Sequence, residues 1–506
     1  MSSNKDATVA DDTIEAKPEL GKRKAEDTVE EESSKEEELV EERGKDDNDA
    51  EAADKDDDEA WFGGGKKKKK RSKKEAIINH TRRRNTEGKH VEKEPHAGSF
   101  ANAEQRKLFG VELPPEEDPD IASTRSKRKV AFLLGYLGTN YTGFQINGGQ
   151  RTLQGDFELA LLRCNFLMRS NFGYPHKYGW STSGRTDKGV HACAQVTSAK
   201  IELLPDQTFD DVRDELNKNL PQDFRCLDVK KTTRNFCAHT QRDRVRYQYM
   251  FPSFVLCDIA KLRAMFEEIG APKNGRSLGD PLSEEEVAKI RAQLKNFRAT
   301  EAQLDLLKKA LKEYEGTHSF HNFSKGVKGT EARAARFIEY FRVEEPIVFE
   351  DGTEWIPTQV YGQSFLLHQI RKMACMAMDI ARGGAPVETI SRAFSKTSDI
   401  RVSPAPAQGL YLDMSFYTGY NRRKQANPDL PDLNWWEEDS EEFKRWKAFR
   451  NGVVMKQVVK EEARDGNFVK HLFIQEYGFS YREYYQLDGT MSAESTEKQK
   501  AEVADS

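Results

Sequence analysis

Along residues 1–124 no apolar spacing repeats for long. Stretches such as EEESSKEEELVEER and DDNDAEAADKDDDEA cannot bury enough surface to offset chain entropy, so this arm is expected to stay unfolded. Order is expected from about 127, where KRKVAFLLGYLG reads as a buried strand running into the glycine-punctuated loop YLGTNYTGFQ. Leu153, Phe157, Leu161, Cys164 and Met168 recur at three- and four-residue spacing, which predicts an amphipathic helix over 153–168. VTSAKIEL (196–203) predicts a strand, DDVRDELNKNL a helix and FRCLDVKKT another strand.

A second half repeats this mixture. VRYQYMF (245–251) alternates as a strand and leaves one tyrosine ring for the core and one for a cleft. AQLDLLKKALKEYEG predicts a helix closed by Gly316. RFIEYFRVEEPIVF and EWIPTQVYGQSFLL predict a strand pair turning at Asp351 and Gly352. HQIRKMACMAMDIARGG is apolar nearly all round, so it predicts a buried helix in which Met373, Met376 and Met378 are packing. LYLDMSFY (410–417) closes this half as a strand. The divisions follow: a polar arm at 1–124, one subdomain at 125–235 and a second at 236–420 with a charged helical insertion near 255–300. A helical extension at 421–490 can dock Trp435, Trp436, Phe443, Trp446 and Phe449 onto the body, and 491–506 is an unfolded tail. Strands and helices mixed in two similar halves give an α+β class.

Composition sharpens the arm. A chain of 506 residues exceeds the roughly 250–300 that one core serves. The net charge of −5 hides opposing blocks: residues 1–60 hold nine Lys and Arg against 24 Asp and Glu, whereas 61–94 hold thirteen against four. Three glycines precede the run Lys66–Arg71, continued by Ser72–Lys74, and GKRK stands apart at 21–24. A dense flexible basic run of this kind is expected to direct nuclear import and to touch nucleic acid. No stretch approaches the ~20 apolar residues of a membrane helix, and the N-terminus lacks an apolar signal core. Six cysteines without a CxxC pair suggest neither a disulfide framework nor a zinc ribbon, so the expectation is an intracellular protein that meets no membrane.

The densest polar cluster is GWSTSGRTDKGVHA (179–192), where Gly184 and Gly189 bracket Arg185, Thr186, Asp187 and Lys188. Glycines let backbone approach a ligand, and flanking cations favour an ionised Asp. Such a carboxylate could be a nucleophile, a general base, a metal ligand or half of a salt-bridged surface turn. His191 is expected to brace this loop. His318 and His321 have a zinc-like spacing, but no third ligand stands nearby, and Phe320 and Phe323 suit core or RNA-stacking roles.

GRTDKGVHA resembles the signature loop of the TruA family of tRNA pseudouridine synthases. GYLGTNYTGFQ, FCAHTQRDRVRYQYMF, YEGTHSFHNFS and SFLLHQIRKM with PAPAQGLYLD resemble four further family segments in the same order, across 127–420. The arm, the insertion and the extension ending in FKRWKAFRNGVV and NFVKHLF are most similar to the family's eukaryotic nuclear branch, although Phe144 stands where that branch leads one to expect Met. The resemblance implies two ferredoxin-like or RRM-like subdomains whose antiparallel sheets join into one platform with a central active-site cleft. It implies that Asp187 is the nucleophile, that Arg371 forms an ion pair with it, that Arg185 positions RNA around a flipped base, and that Tyr247 stacks on that base. It implies isomerisation of uridine to pseudouridine in tRNA, with small nuclear and messenger RNA as further candidates, in a nuclear monomer without cofactor or metal. Two rivals belong to other classes: a non-catalytic RNA-binding or RNA-folding protein on the same platform, and a metal-dependent nuclease or phosphatase using Asp187 with the histidine pair.

Overall fold

A computed structural model describes residues 94–271, 282–426, 428 and 432–478. The basic run at Lys66–Arg71 and the tail at 491–506 lie outside the described residues. Two short helices, α1 (Ala103–Phe109) and α2 (Pro119–Thr124), lead into the first half. That half comprises β1 (Ser126–Tyr136), α3 (Leu153–Arg163), β2 (Ser181–Thr182), β3 (His191–Leu203), α4 (Phe209–Asn219) and β4 (Phe224–Lys231). Thr152 caps α3, and Thr208 with Asp211 forms a reciprocal capping box on α4.

The second half opens with β5 (Arg244–Pro252) and carries α5 (Ile259–Glu268), α6 (Glu284–Leu294) and α7 (Glu301–Lys312) before β6 (Gly316–Ser319). It continues through β7 (Ala335–Val343), β8 (Ile347–Val348), β9 (Glu354–Gly362), α8 (Gln369–Ala381), α9 (Glu388–Ala393) and β10 (Leu410–Phe416). The extension adds α10 (Thr418–Ala426), α11 (Glu441–Phe449), α12 (Met455–Asp465) and α13 (Asn467–Phe473), with one π turn, Arg450–Val454, joining α11 to α12.

The strands form one sheet in the order β4-β1-β3-β10-β5-β9-β7-β6, with β2 on β3 and β8 on β9. Neighbours are antiparallel except at the seam between halves, where β10 runs parallel to β3 for only two residue pairs, Tyr411 with His191 and Leu412 with Ala192. Period-2 alternation separates the two cores. Val130, Phe132, Leu134 and Tyr136 of β1 pack with Phe157 and Leu161 of α3 and Val212 and Leu216 of α4. Ala131 and Leu133 belong instead to the cluster that holds Trp446 and Phe449 of the extension.

The extension fastens across the seam. In the first half, Trp435 Nε1 donates to Asp228 at 2.7 Å, and Arg445 Nε donates to the Leu227 carbonyl at 2.8 Å. In the second, Trp446 Nε1 donates to the Asp413 carbonyl at 3.2 Å, and Arg450 pairs with Glu344 at 2.7 Å. The Phe449 ring lies so close to β1 that a Cβ on Gly135 would sit 2.7 Å from it.

Three expectations need correction. The arm is expected to be unfolded through 124, yet its described residues, 94–124, pack against the first half: Phe100 is buried, and Ser99 Oγ donates to buried Glu158 at 2.6 Å. Single anchors at uneven spacing hold this strap, so no periodicity announces it. The helix expected over 153–168 ends at Arg163, with Asn165 left-handed at φ 57°. Its polar residues are buried as well, since Gln154 accepts from the Ile146 N–H and Glu158 from Ser99 of the strap. Gly316 does not close a helix: α7 ends at Lys312, and Gly316, at φ 97°, opens β6.

Candidate active site

The loop between β2 and β3 is clamped by backbone and side-chain hydrogen bonds. The Ser183 N–H donates to the Val196 carbonyl and its hydroxyl to Gln195, each at 2.8 Å. Gln195 in turn donates to Thr182 at 2.9 Å and to the Gly184 carbonyl. Buried Thr186 shares a 2.9 Å hydrogen bond with Tyr136, and its carbonyl accepts from the Phe144 N–H at 3.1 Å. A Cβ on Gly138 would lie 2.3 Å from the Val190 carbonyl oxygen, so the two loops touch backbone to backbone. GYLGTNYTGFQ and GRTDKG are thus one structure in space. Phe144 serves it by packing, its ring stacked on Trp180 at 6.5 Å. The clamped backbone leaves Arg185, Asp187 and Lys188 exposed.

Across the seam, Tyr247 of β5 pairs with Leu412 of β10 and Val360 of β9. Its half-buried ring meets Phe365 edge-on at 5.7 Å. Burial raises its hydroxyl pKa; Arg242 opposes that rise and Asp187 adds to it. Alternation does not separate it from Tyr249, since residues two apart share a face of a strand. The difference lies along the strand: Tyr249 is fully buried, with its hydroxyl donating to the Pro406 carbonyl at 3.0 Å.

At the head of α8, His368 takes a left-handed backbone at φ 63°, rare for a residue with a side chain and a form of strain that collects at functional sites. Arg371 and Ala405 exchange two hydrogen bonds, Arg371 Nε to the Ala405 carbonyl at 2.6 Å and the Ala405 N–H to the Arg371 carbonyl at 3.1 Å. Burial lowers the Arg371 pKa, and the charges of Tyr249 and Asp187 oppose that fall. Burial and then Arg371 lower that of His368, against Asp187. The Asp187 carboxylate therefore acts on Tyr247, His368 and Arg371 together.

The direct Asp187–Arg371 ion pair expected from the sequence is not formed, as no contact within 4 Å joins them. Arg371 is fastened to a loop of its own half, while Asp187 projects from the other, and their charges act across the space between. Two residues near the site escaped the sequence reading. One is His368, whose backbone strain has no signature in composition. The other is Arg242, whose buried Nε has no hydrogen-bond partner and whose guanidinium lies 3.1 Å from where a Gly184 Cβ would stand. The string QRDRVR offered three arginines and no means of choosing among them.

The histidines have other duties. His318 stacks on Phe394 at 4.1 Å with Nε2 against the Glu315 carbonyl, and His321 Nε2 meets the Ser398 carbonyl at 2.9 Å. Among the described residues no group of three or more His, Cys, Asp or Glu side chains could hold a metal ion. None of the described helices is long and apolar enough to cross a membrane. Exposed Asp187, flanked in sequence by exposed Arg185 and Lys188, thus faces half-buried Tyr247 together with His368 and Arg371, a combination of carboxylate, ring and cation that suits an enzyme site.

The family model described as tRNA pseudouridine synthase matches residues 310–418. A tRNA pseudouridine synthase 1 from Kluyveromyces lactis is 31% identical over 366 residues, which is 63% of this chain and 65% of that one. One from Candida glabrata is 30% identical over 425 residues, covering 74% of each chain. A pseudouridylate synthase 1 homolog from Mus musculus is 30% identical over 70% of this chain and 75% of its own. The chain belongs to the tRNA pseudouridine synthase family, and its class is that of an isomerase.

Proposed function

We propose that the chain isomerises uridine to pseudouridine in tRNA, with Asp187 as the acting carboxylate. The observation that carries this is an exposed Asp187 on a backbone-locked loop, electrostatically coupled to Tyr247 and Arg371 across the seam. In the reaction the N1–C1′ bond of uridine breaks, the uracil turns, and a C5–C1′ bond forms. The C5 proton leaves and N1 regains one, so atoms and electrons balance without a redox partner. A carboxylate held by a rigid loop can trap ribose or base while the glycosidic bond is open. Tyr247 offers a ring for the uracil, and exposed Arg185 and Lys188 offer charge to the phosphates that hold the nucleotide turned outward. Arg371 supplies positive charge opposite the carboxylate.

Nuclear residence, driven by the Lys66–Arg71 run, is part of this proposal, as are action on small nuclear and messenger RNA and a monomeric state. The test is tritium release from C5-labelled uridine in transcribed tRNA. Asp187→Ala should lower the rate by about 10³-fold or more, the scale expected when a nucleophile is removed, with tRNA affinity within a few-fold of the parent. Turnover near the parental rate would exclude Asp187 as the acting group.

A further inference from the structure

The most telling contact outside the cleft comes from the extension. Glu461 and Glu462 are adjacent on α12, and each reaches a different wall of the site. Glu461 accepts from the Thr139 hydroxyl and from Gln457 Nε2 at 2.9 Å, and its other oxygen stands 3.5 Å from His191 Nε2. Glu462 accepts from Gln408 Nε2 at 2.9 Å and from the Phe468 N–H at 3.0 Å. Gln408 lies just beyond Ala405 and Pro406, whose carbonyls hold Arg371 and Tyr249.

The two ring nitrogens of His191 face different neighbours. Nδ1 accepts the Gly138 N–H at 3.0 Å, which places the ring proton on Nε2, pointing at Glu461. His191 is wholly buried, and its Nε2, which makes no hydrogen bond, has Glu461 as its charged neighbour at 3.5 Å. Glu461 therefore touches both sides of the backbone contact between Gly138 and Val190, through a hydrogen bond from Thr139 on one side and a 3.5 Å contact with His191 on the other. That contact is the floor of the Asp187 loop, since the Val190 N–H donates to the Asp187 carbonyl at 3.1 Å. The carboxylate is suited to the task. Burial would push it up, but the neighbouring His191 and the bonds from Thr139 and Gln457 outweigh that and hold its pKa down at about 2.

We propose that Glu461 is a positioning residue for the isomerisation: acting through His191 and Thr139, it sets the height of the Asp187 loop above the seam. The inference rests on Asp187 being the acting carboxylate. It assigns the extension a part in catalysis that neither its distance in sequence nor its amphipathic pattern would suggest.

The test measures kcat, KM and tRNA affinity for the full chain and for Glu461→Gln, His191→Asn, their double variant and Thr139→Ala. An asparagine at 191 can still accept the Gly138 N–H but cannot reach Glu461. Each of the first two should lower kcat about tenfold with KM and affinity within twofold, and the double variant should be no worse than the poorer single, because both cut one link. Thr139→Ala, at an exposed position that cannot unfold the protein, should lower kcat about threefold. A kcat within 1.5-fold of the parent in Thr139→Ala and Glu461→Gln overturns the proposal, as do losses that multiply in the double variant. Asp187→Ala is assayed alongside: if it stays active, the underlying reading fails, whatever the Glu461 variants do.

Discussion

Asp187 is exposed although the carbonyls of Gly184, Thr186 and Asp187 itself are all engaged, and this combination makes single side chains decisive. Arg371 spends its Nε on the Ala405 carbonyl and still presents charge toward Asp187. An ammonium cannot do both at once, since it is a point donor on a flexible stem. Arg371→Lys should therefore lose more than about tenfold in kcat, a typical cost for one misplaced electrostatic group, with a melting temperature within a few degrees of the parent. Recovery of full activity by Lys would show that charge alone suffices. Tyr247 allows a second test. Burial, reinforced by Asp187, holds the proton on its hydroxyl, so it stays a neutral ring through the working pH range. The alkaline limb of the kcat–pH profile below pH ~9 should therefore be the same in Tyr247→Phe as in the parent. A limb that vanished in the variant would mean that this hydroxyl does ionise.

At the scale of elements, α12 carries two glutamates in opposite electrostatic states. Burial raises Glu462 from 4.5 to about 7, with the Phe468, Arg291, Val469 and Asn467 groups opposing. A carboxyl whose folded pKa lies above its unfolded one keeps a proton the unfolded chain has lost. Stability should therefore fall as pH rises from 4.5 to 7 and remain lower above that. The full shift corresponds to about 3 kcal/mol at 1.36 kcal/mol per unit. Glu462→Gln mimics the protonated form, so it should match the parent at pH 5 and melt higher at pH 8. Melting curves at the two pH values decide it; a variant less stable at pH 8 than the parent would show that the ionised carboxylate is the favoured form there. The same scale explains α3. Its three- and four-residue spacing is real, yet its polar face is buried too, because Glu158 finds Ser99, Tyr178 and the Gly173 N–H.

For the whole molecule, the strap at 94–124 and the extension matter more than their polar sequences suggest. A chain beginning at 94 should be as stable as the full one. A chain beginning at 125 loses the buried Phe100 ring, worth about 2 kcal/mol, and leaves Glu158 without Ser99, at about 1–3 kcal/mol more. Urea unfolding should show a clearly lower midpoint for the shorter chain only; equal midpoints would mean that the strap is not needed. The extension bridges β4 and β10 on either side of a seam only two residue pairs long, which by itself is too short to fix the halves.

The regular elements were legible in the sequence where burial left a mark on it: Val212 and Leu216 recur four apart on α4, whose other face is open, whereas β1 and α8, buried on both faces, read as continuous apolar runs of strand and helix length. The GRTDKG loop was legible for a different reason: glycines and charges are dense where backbone must touch backbone and a side chain must stay out. Spacing could not reveal which distant pieces meet. The strap, the left-handed His368, Arg242 beside Gly184 and Glu461 under His191 each depend on contacts between residues far apart in the chain, and no local pattern encodes such a contact. Nor could sequence show that Arg371 would bond Ala405 instead of Asp187. That choice follows from which loop lies nearer once two half-sheets have joined, and only the folded chain sets that distance.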